Sequence, residues 1–495
     1  MRKALFVLCV LALSVPEVAA QQYELVVEGG RVMDPETGLD AVRNVGIRDG
    51  KIARISTEPI TGRRVIHAAG LVVAPGFIDL HQHGQDPESQ SVKALDGVTT
   101  ALELEIGVPD VGQFLKEKDG RSLIHYGTAA SHAAARAAVF GSPIPTTTSK
   151  TQPGIPEILP KSGPATDQPA TPQQIEAIQN RLRSELDAGA LAVGMGIQYT
   201  PGATRLEVLD MFRLAAERKV PVYVHARSTG RVEPGSSVES VSEVIGDAAI
   251  SGASLHIVHI NSSCLRDAPE CLSMIAGARA RGLDVTTEAY PYIAGMTVIN
   301  SALFNPGWQE KLGISYNDLV LPDHEEHLTK QRFDELHASN TTRLVLIFSN
   351  KQEVVDQVIP NPLVMIASDG ATGHPRNAGT FSRVLRQYVR EKGSLTLMDA
   401  VRKMSLMPAQ MLERSTPTAR NKGRVQEGAD ADITIFDAAT ITDRSTFQKP
   451  MEPSFGVHFL LVGGTVLVDE GKIVPNVFPG RAVLSPGRAG FGKEQ

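Results

Sequence analysis

Two histidines separated by one residue, at the end of an apolar run, are the first chemistry legible in this chain of 495 residues. The run reads Pro75-Gly76-Phe77-Ile78-Asp79-Leu80-His81-Gln82-His83. On an extended strand, residues i and i+2 project to the same side, so His81 and His83 can grip one ion together. Two further imidazoles close similar runs, His225 after residues 220–224 and His259 after residues 255–258, and Asp369 follows residues 364–368. Four imidazoles and a carboxylate at strand ends make the N/O donor set that a borderline cation such as Zn²⁺ prefers. A bound ion of that kind acidifies water and polarises a carbonyl. His256 shares the segment of His259, but its odd spacing directs it across the strand, toward the helices. His67, His125, His132 and His458 follow no such pattern and read as structural or supporting residues.

Strand ends act together only if a fold gathers them. Eight apolar runs, at residues 72–80, 98–104, 124–130, 191–197, 220–225, 255–260, 284–289 and 363–367, alternate with amphipathic helical segments. Continuous apolar strands with helices between them indicate a parallel sheet covered on both faces. Eight such units fit a closed (β/α)₈ barrel, whose C-terminal strand ends carry the chemistry. One helix is fully signalled: Thr171 caps it, Pro172 opens it and Gln174 completes a capping box. Ile175, Ile178, Leu182 and Leu186 then form its apolar stripe, and Gly189 ends it.

Both chain ends have a different character. Short alternating runs at residues 23–28, 45–48, 51–55 and 65–68 are divided by turn residues, with Asp49-Gly50 a strong hairpin signal. Residues 431–436, 459–462 and 465–468 repeat the pattern. The expectation is an α/β chain: a barrel over residues 72–410 and a small β-sandwich from residues 21–71 and 411–485. Segments near 141–170 and 305–340 read as loops or lids over the barrel mouth.

Arg2 and Lys3, the apolar residues 4–15, and Val18-Ala19-Ala20 read as a secretion signal cleaved near Ala20. The expected location is therefore periplasmic or secreted. No later stretch has the ~20 apolar residues of a membrane span, and the net charge of -6 gives no reason to expect a nucleic-acid partner. The expected partner is a small-molecule amide, and a homo-oligomer stays open. Cys264 and Cys271 remain after the signal; a loop-closing disulfide and a pair of free thiols are both open.

With residues 75–83 in place, the chain resembles the amidohydrolase superfamily, and within it the N-acyl-D-amino-acid deacylase (D-aminoacylase) branch. Further marks are Gly97-Val98-Thr99-Thr100, Ala188-Gly189-Ala190-Leu191, Tyr199-Thr200-Pro201-Gly202 and the run from Tyr290-Pro291-Tyr292 to Thr297. His374-Pro375-Arg376, Gly379-Thr380-Phe381, Gly423-Arg424-Val425 and residues 428–432 complete the set. The resemblance implies a distorted (β/α)₈ barrel with a β-sandwich from both termini, and one or two zinc ions. It implies metal ligation by His81, His83, His225 and His259, Asp369 as catalytic aspartate and further ligand, and a substrate carboxylate held by Arg376 and Tyr290.

Three positions depart from that pattern. The branch's metal-ligating cysteine falls at Ile106, which makes the neighbouring Glu105 the substitute bridging ligand, with Glu103 the alternative. Asn261 stands where a carboxylate-binding lysine is usual, and Met296 where a serine is. Losing a cation and a hydroxyl weakens the case for a free α-carboxylate on the substrate. The expected activity is zinc-dependent hydrolysis of an N-acyl amino acid or related amide. A cyclic amide or dipeptide hydrolase on the same site is the alternative, and a non-catalytic binding barrel a further one.

Overall fold

The computed structural model describes residues 23–142, 163–322, 325–339 and 343–486. The segment read as a secretion signal and most of the 141–170 loop lie outside the described residues.

Eight parallel strands run around a barrel in chain order: Phe77–Asp79, Val98–Val108, His125–Ser131, Val193–Gly196, Val222–His225, Leu255–Ile257, Val285–Ala289 and Val364–Ile366. Each pairs with its neighbour in the sequence of strands. Strands eight and one meet through single contacts: Ser368 N donates to Asp79 Oδ1 at 3.0 Å, and His83 N donates to Gly370 O at 2.9 Å. The barrel is thus nearly closed, and the short first strand leaves His81 and His83 just past its end. Ile78, Leu80, Leu102, Leu104, Tyr223, Val258 and Met365 pack together inside, while Val222, Val224, Leu255 and Ile257 pack toward the helices.

The run expected as one strand over residues 72–80 divides at Gly76. Val72–Pro75 pairs antiparallel with Ile433–Phe436, whereas Phe77–Asp79 opens the barrel. A Cβ on Gly76 would lie 2.3 Å from the Thr99 side chain, so glycine is needed where the chain passes from sheet to barrel.

The terminal sheet has nine strands, five from residues 23–75 and four from residues 433–473. The pair Val72–Pro75 and Ile433–Phe436 joins the two halves, and Leu25, Val27, Val45, Ile47, Val73, Ile433 and Leu461 share one core. The Asp49-Gly50 turn has φ 52 and 69 with Arg48 opposite Lys51, as a two-residue hairpin requires. Helix Pro172–Asp187 carries both halves of its capping box and buries Ile178, Leu182 and Leu186.

The stretch around residues 305–340 is more ordered than its composition suggests. Gly295–Val298, Leu319–Leu321, Glu326–His327 and Leu344–Ile347 form an antiparallel sheet. Phe304, Trp308, Leu312, Phe333 and Val345 give it a core of its own. Met296, Leu303, Leu312 and Ile347 of this layer reach a cleft of 590 Å³ at the barrel mouth.

Candidate metal centre

The site begins with a fault in strand two. Between the pairs Glu103–Thr128 and Val108–Ala130, five residue steps oppose two on strand three. Surplus residues of this kind bulge out and re-aim side chains. Two glycines make room for the bulge. Gly107 has φ 71, and a Cβ there would lie 2.4 Å from Ala129 O; one on Gly194 would lie 2.6 Å from Glu105 O. Ile106 joins the apolar wall of the cleft with Tyr199 and Met296, and Glu105 reaches the centre.

The two oxygens of Glu105 serve two pairs of histidines. Oε2 lies 3.1 Å from His81 Nε2 and 3.2 Å from His83 Nε2. Oε1 lies 2.7 Å from His225 Nδ1 and 3.0 Å from His259 Nε2. Asp369 Oδ1 is 3.4 Å from His81 Nε2 and 3.2 Å from His83 Nε2, and its Oδ2 is 2.8 Å from Arg376 Nη1. Two donor groups result, His81, His83, Glu105 and Asp369 in one and Glu105, His225 and His259 in the other, each with its atoms within 4.8 Å. They share Glu105, so its carboxylate belongs to both donor groups.

Every outward-facing imidazole nitrogen is anchored. His81 Nδ1 donates to Glu288 Oε1 at 2.6 Å, and His83 Nδ1 donates to Glu103 Oε2 at 2.5 Å. His225 Nε2 donates to Gln198 Oε1 at 2.7 Å, and His259 Nδ1 lies 3.0 Å from Ser263 Oγ. Such partners fix ring orientation and tautomer in metal-binding histidines. Glu103 thus supports His83 instead of bridging. Its other oxygen accepts from the bulge amides of Ile106 and Gly107.

Electrostatics favour a cation. Burial depresses an imidazole's pKa, yet Glu105, Asp369 and Glu288 carry His81 well above its ordinary value. Against the same burial, Glu103, Asp369 and Glu105 raise His83. Burial would push Glu105 up, but the surrounding histidines hold it well below the usual carboxylate range. Asp369 behaves likewise, with Arg376 and His81 overcoming its burial. The carboxylates of Glu103, Glu105, Glu288 and Asp369 converge on four imidazoles and one guanidinium, an anionic cage that zinc would neutralise.

Two ligand positions need unusual backbone. His259 has φ 29 and Asp369 has φ 49, both in the left-handed region, sparsely populated for residues other than glycine. The turn at His259 breaks strand alternation, and this corrects the reading of His256. That residue points into the barrel, its ring tilted against Tyr223 with centroids 4.6 Å apart, and its Nε2 donates to Glu288 Oε2 at 3.1 Å. His125 bonds to Asp432 and His132 to Glu207, away from the centre. Cys264 and Cys271 are buried free thiols.

The structure divides the four substrate-binding candidates. Tyr290 and Met296 line the cleft, while Asn261 and Arg376 are fully buried behind it. Asn261 Nδ2 donates to Tyr290 O at 3.2 Å, and the Arg376 guanidinium lies over the Tyr290 ring, 4.6 Å from its centroid. Gln198, Ser263 and Glu288 escape sequence reasoning as supporting residues. The only signal for Glu288 is a carboxylate inside an otherwise apolar and threonine-rich strand.

With this geometry in view, the chain matches the amidohydrolase family over residues 318–467. It is 29% identical to N-acyl-D-glutamate deacylase of Alcaligenes xylosoxydans xylosoxydans, covering 93% of this chain and 96% of the relative. It is 25% identical to a dihydroorotase of Geobacter metallireducens, over 90% of this chain and 99% of the relative. The fold is similar to that of N-acyl-D-glutamate deacylase from Bordetella bronchiseptica, a structure holding zinc and a phosphonate inhibitor. The TM-score is 0.77 and the identity 24%, over 94% of this chain and 100% of that one.

Proposed function

Because this chain belongs to the amidohydrolase superfamily, in its D-aminoacylase branch, we propose that it hydrolyses the amide bond of a linear N-acyl amino acid or a closely related N-acyl small molecule. The observation carrying this reading is Glu105 shared between two donor groups, with Asp369 beside one of them. His81, His83, His225, His259, Glu105 and Asp369 would hold zinc. When bound there, zinc supplies Lewis acidity toward the scissile carbonyl and lowers the pKa of water.

The remaining work falls to the chain's own residues. The charge of Arg376, close to Oδ2, keeps Asp369 ionised, and Oδ1 is turned toward His81 and His83. In that state Asp369 takes the proton of the attacking water and later delivers it to the departing nitrogen. Tyr290 and Gln198 line the cleft, where they orient the substrate and exclude bulk water.

Full-length similarity to dihydroorotases supports a second reading, hydrolysis of a cyclic amide. Strand four, Val193–Gly196, has no lysine to carboxylate as a bridging ligand, which favours the linear substrate. The test incubates the zinc-loaded protein and its chelator-treated form with N-acyl amino acids of both hands, and with hydantoin and dihydroorotate. Release of acyl acid from the linear compounds, lost on chelation and restored by zinc, supports the proposal. Turnover of the cyclic compounds alone overturns it.

A further inference from the structure

Inside the barrel, a column of polar side chains leads away from the metal centre. Its base is Tyr223, His256 and Thr286, which stand in register on strands five, six and seven. Glu288 lies two residues beyond Thr286 on strand seven and so shares its face. His256 and Glu288 are fully buried, and every polar atom of both side chains is hydrogen-bonded. Glu288 Oε1 meets His81 Nδ1 at 2.6 Å, and Oε2 accepts from His256 Nε2 at 3.1 Å. His256 Nδ1 lies 2.8 Å from Thr286 Oγ1, which is held in turn by Leu255 O at 3.2 Å. The ring of His256 is therefore fixed on both edges, and its face rests against Tyr223. Burying a carboxylate and an imidazole in a barrel core is costly unless each is paired, and here the pairing ends on a candidate ligand.

We infer that His256 is a positioning residue for the metal centre, acting through Glu288 on His81. This rests on the reading of His81 as a zinc ligand. The last torsion of a glutamate is soft, so one fixed oxygen is needed to aim the other. With Oε2 held by His256, Oε1 stays on His81 Nδ1, and His81 Nε2 stays turned toward Glu105 and Asp369. Without His256, Oε2 is a buried anionic oxygen that has lost its donor. The carboxylate then turns to repair the loss, and the His81 ring is loosened. A partner that fixes the far nitrogen of a metal-binding histidine adds to metal affinity, and His256 extends that support by one residue.

The experiment measures zinc affinity, by competition with a chelator, in the wild-type protein and in four variants: His256→Leu, His256→Gln, Glu288→Gln, and Glu288→Gln with His256→Leu. Leucine keeps apolar bulk and loses the donor, whereas glutamine keeps a donor. His256→Leu should weaken zinc binding by about tenfold or more, and His256→Gln should recover most of that loss. A residue that only fills space would give the opposite order. With Glu288→Gln in place, adding His256→Leu should cost no further affinity, because residues in one hydrogen-bonded chain are not additive. In the cobalt-loaded protein, visible absorption should change in His256→Leu and return toward wild type in His256→Gln. Where His256→Leu fails to fold, the two Glu288→Gln variants, which bury no unpaired carboxylate, decide alone. Wild-type zinc affinity in His256→Leu, or a full further loss in the Glu288→Gln background, would overturn the inference while leaving the metal centre intact. Absence of zinc from the wild-type protein would overturn the reading of His81 as a ligand, and this inference with it.

Discussion

At the scale of single residues, Glu105 decides what the centre can hold. Each of its oxygens faces two imidazole nitrogens, so one carboxylate neutralises charge on both sides. Glu105→Gln keeps the size and removes the charge; metal analysis should show less zinc bound per chain than in the wild-type protein. Asp369→Asn should fold and retain zinc, yet lose turnover by about 10²–10⁴-fold, the usual worth of a positioned base. Near-wild-type turnover in that variant would remove Asp369 from its role. Glu103 acts one step further out, through the Nδ1 of His83. Glu103→Gln should weaken zinc affinity by about 10–100-fold, read by competition with a chelator, while the barrel stays folded.

At the scale of elements, the centre depends on the strand-two bulge and on the glycines that admit it. A Cβ on Gly194 would press on the carbonyl oxygens of Glu105 and Leu104, at 2.6 and 2.9 Å. Backbone atoms in a barrel cannot yield as a flexible side chain can. Gly194→Ala should therefore displace the bulge, costing about 1–3 kcal/mol in denaturant unfolding and weakening zinc binding. Unchanged zinc affinity would show that the bulge does not set Glu105. The bulge also explains what the sequence could and could not reveal. His81, His83, His225 and Asp369 are readable because each closes an apolar run, and strand ends gather at one barrel rim. Glu105 has no such mark. Glu103 and Glu105 alternate like any strand residues, and only the departure at Ile106 brings them forward. His259 is readable from its strand end, whereas His256 misleads, because alternation assumes extended backbone up to His259, which sits at φ 29. Gln198 and Ser263 act through contacts at a turn and across strands, which no local period encodes.

At the scale of the whole molecule, the barrel is tied to the terminal sheet at a point next to the chain's own crossover. Asp432, immediately before Ile433–Phe436, is fully buried there. It accepts from Lys422 Nζ at 2.6 Å, from His125 Nε2 of barrel strand three at 3.0 Å, and from Gly463 N at 2.7 Å. Its main-chain oxygen accepts from Gly76 N at 2.8 Å, where sheet becomes barrel. Burial would raise the carboxyl's pKa, but Lys422 and His125 hold it far below the usual range. A depressed folded-state pKa stabilises the protein above the unfolded value, and that contribution is lost as pH falls through the folded one. Asp432→Asn leaves Lys422 paired with Asp430 alone, 3.0 Å away, and should cost about 1–3 kcal/mol near neutral pH. The gap between wild-type and variant stability should stay level at neutral and mildly acidic pH, then narrow below about pH 4, where an unfolded aspartate takes up its proton. Denaturant unfolding of both proteins across that range measures the gap directly. A gap that does not close in acid would mean that the charge on Asp432 is not what fastens the sheet to the barrel, and that apolar packing across the junction carries the attachment instead.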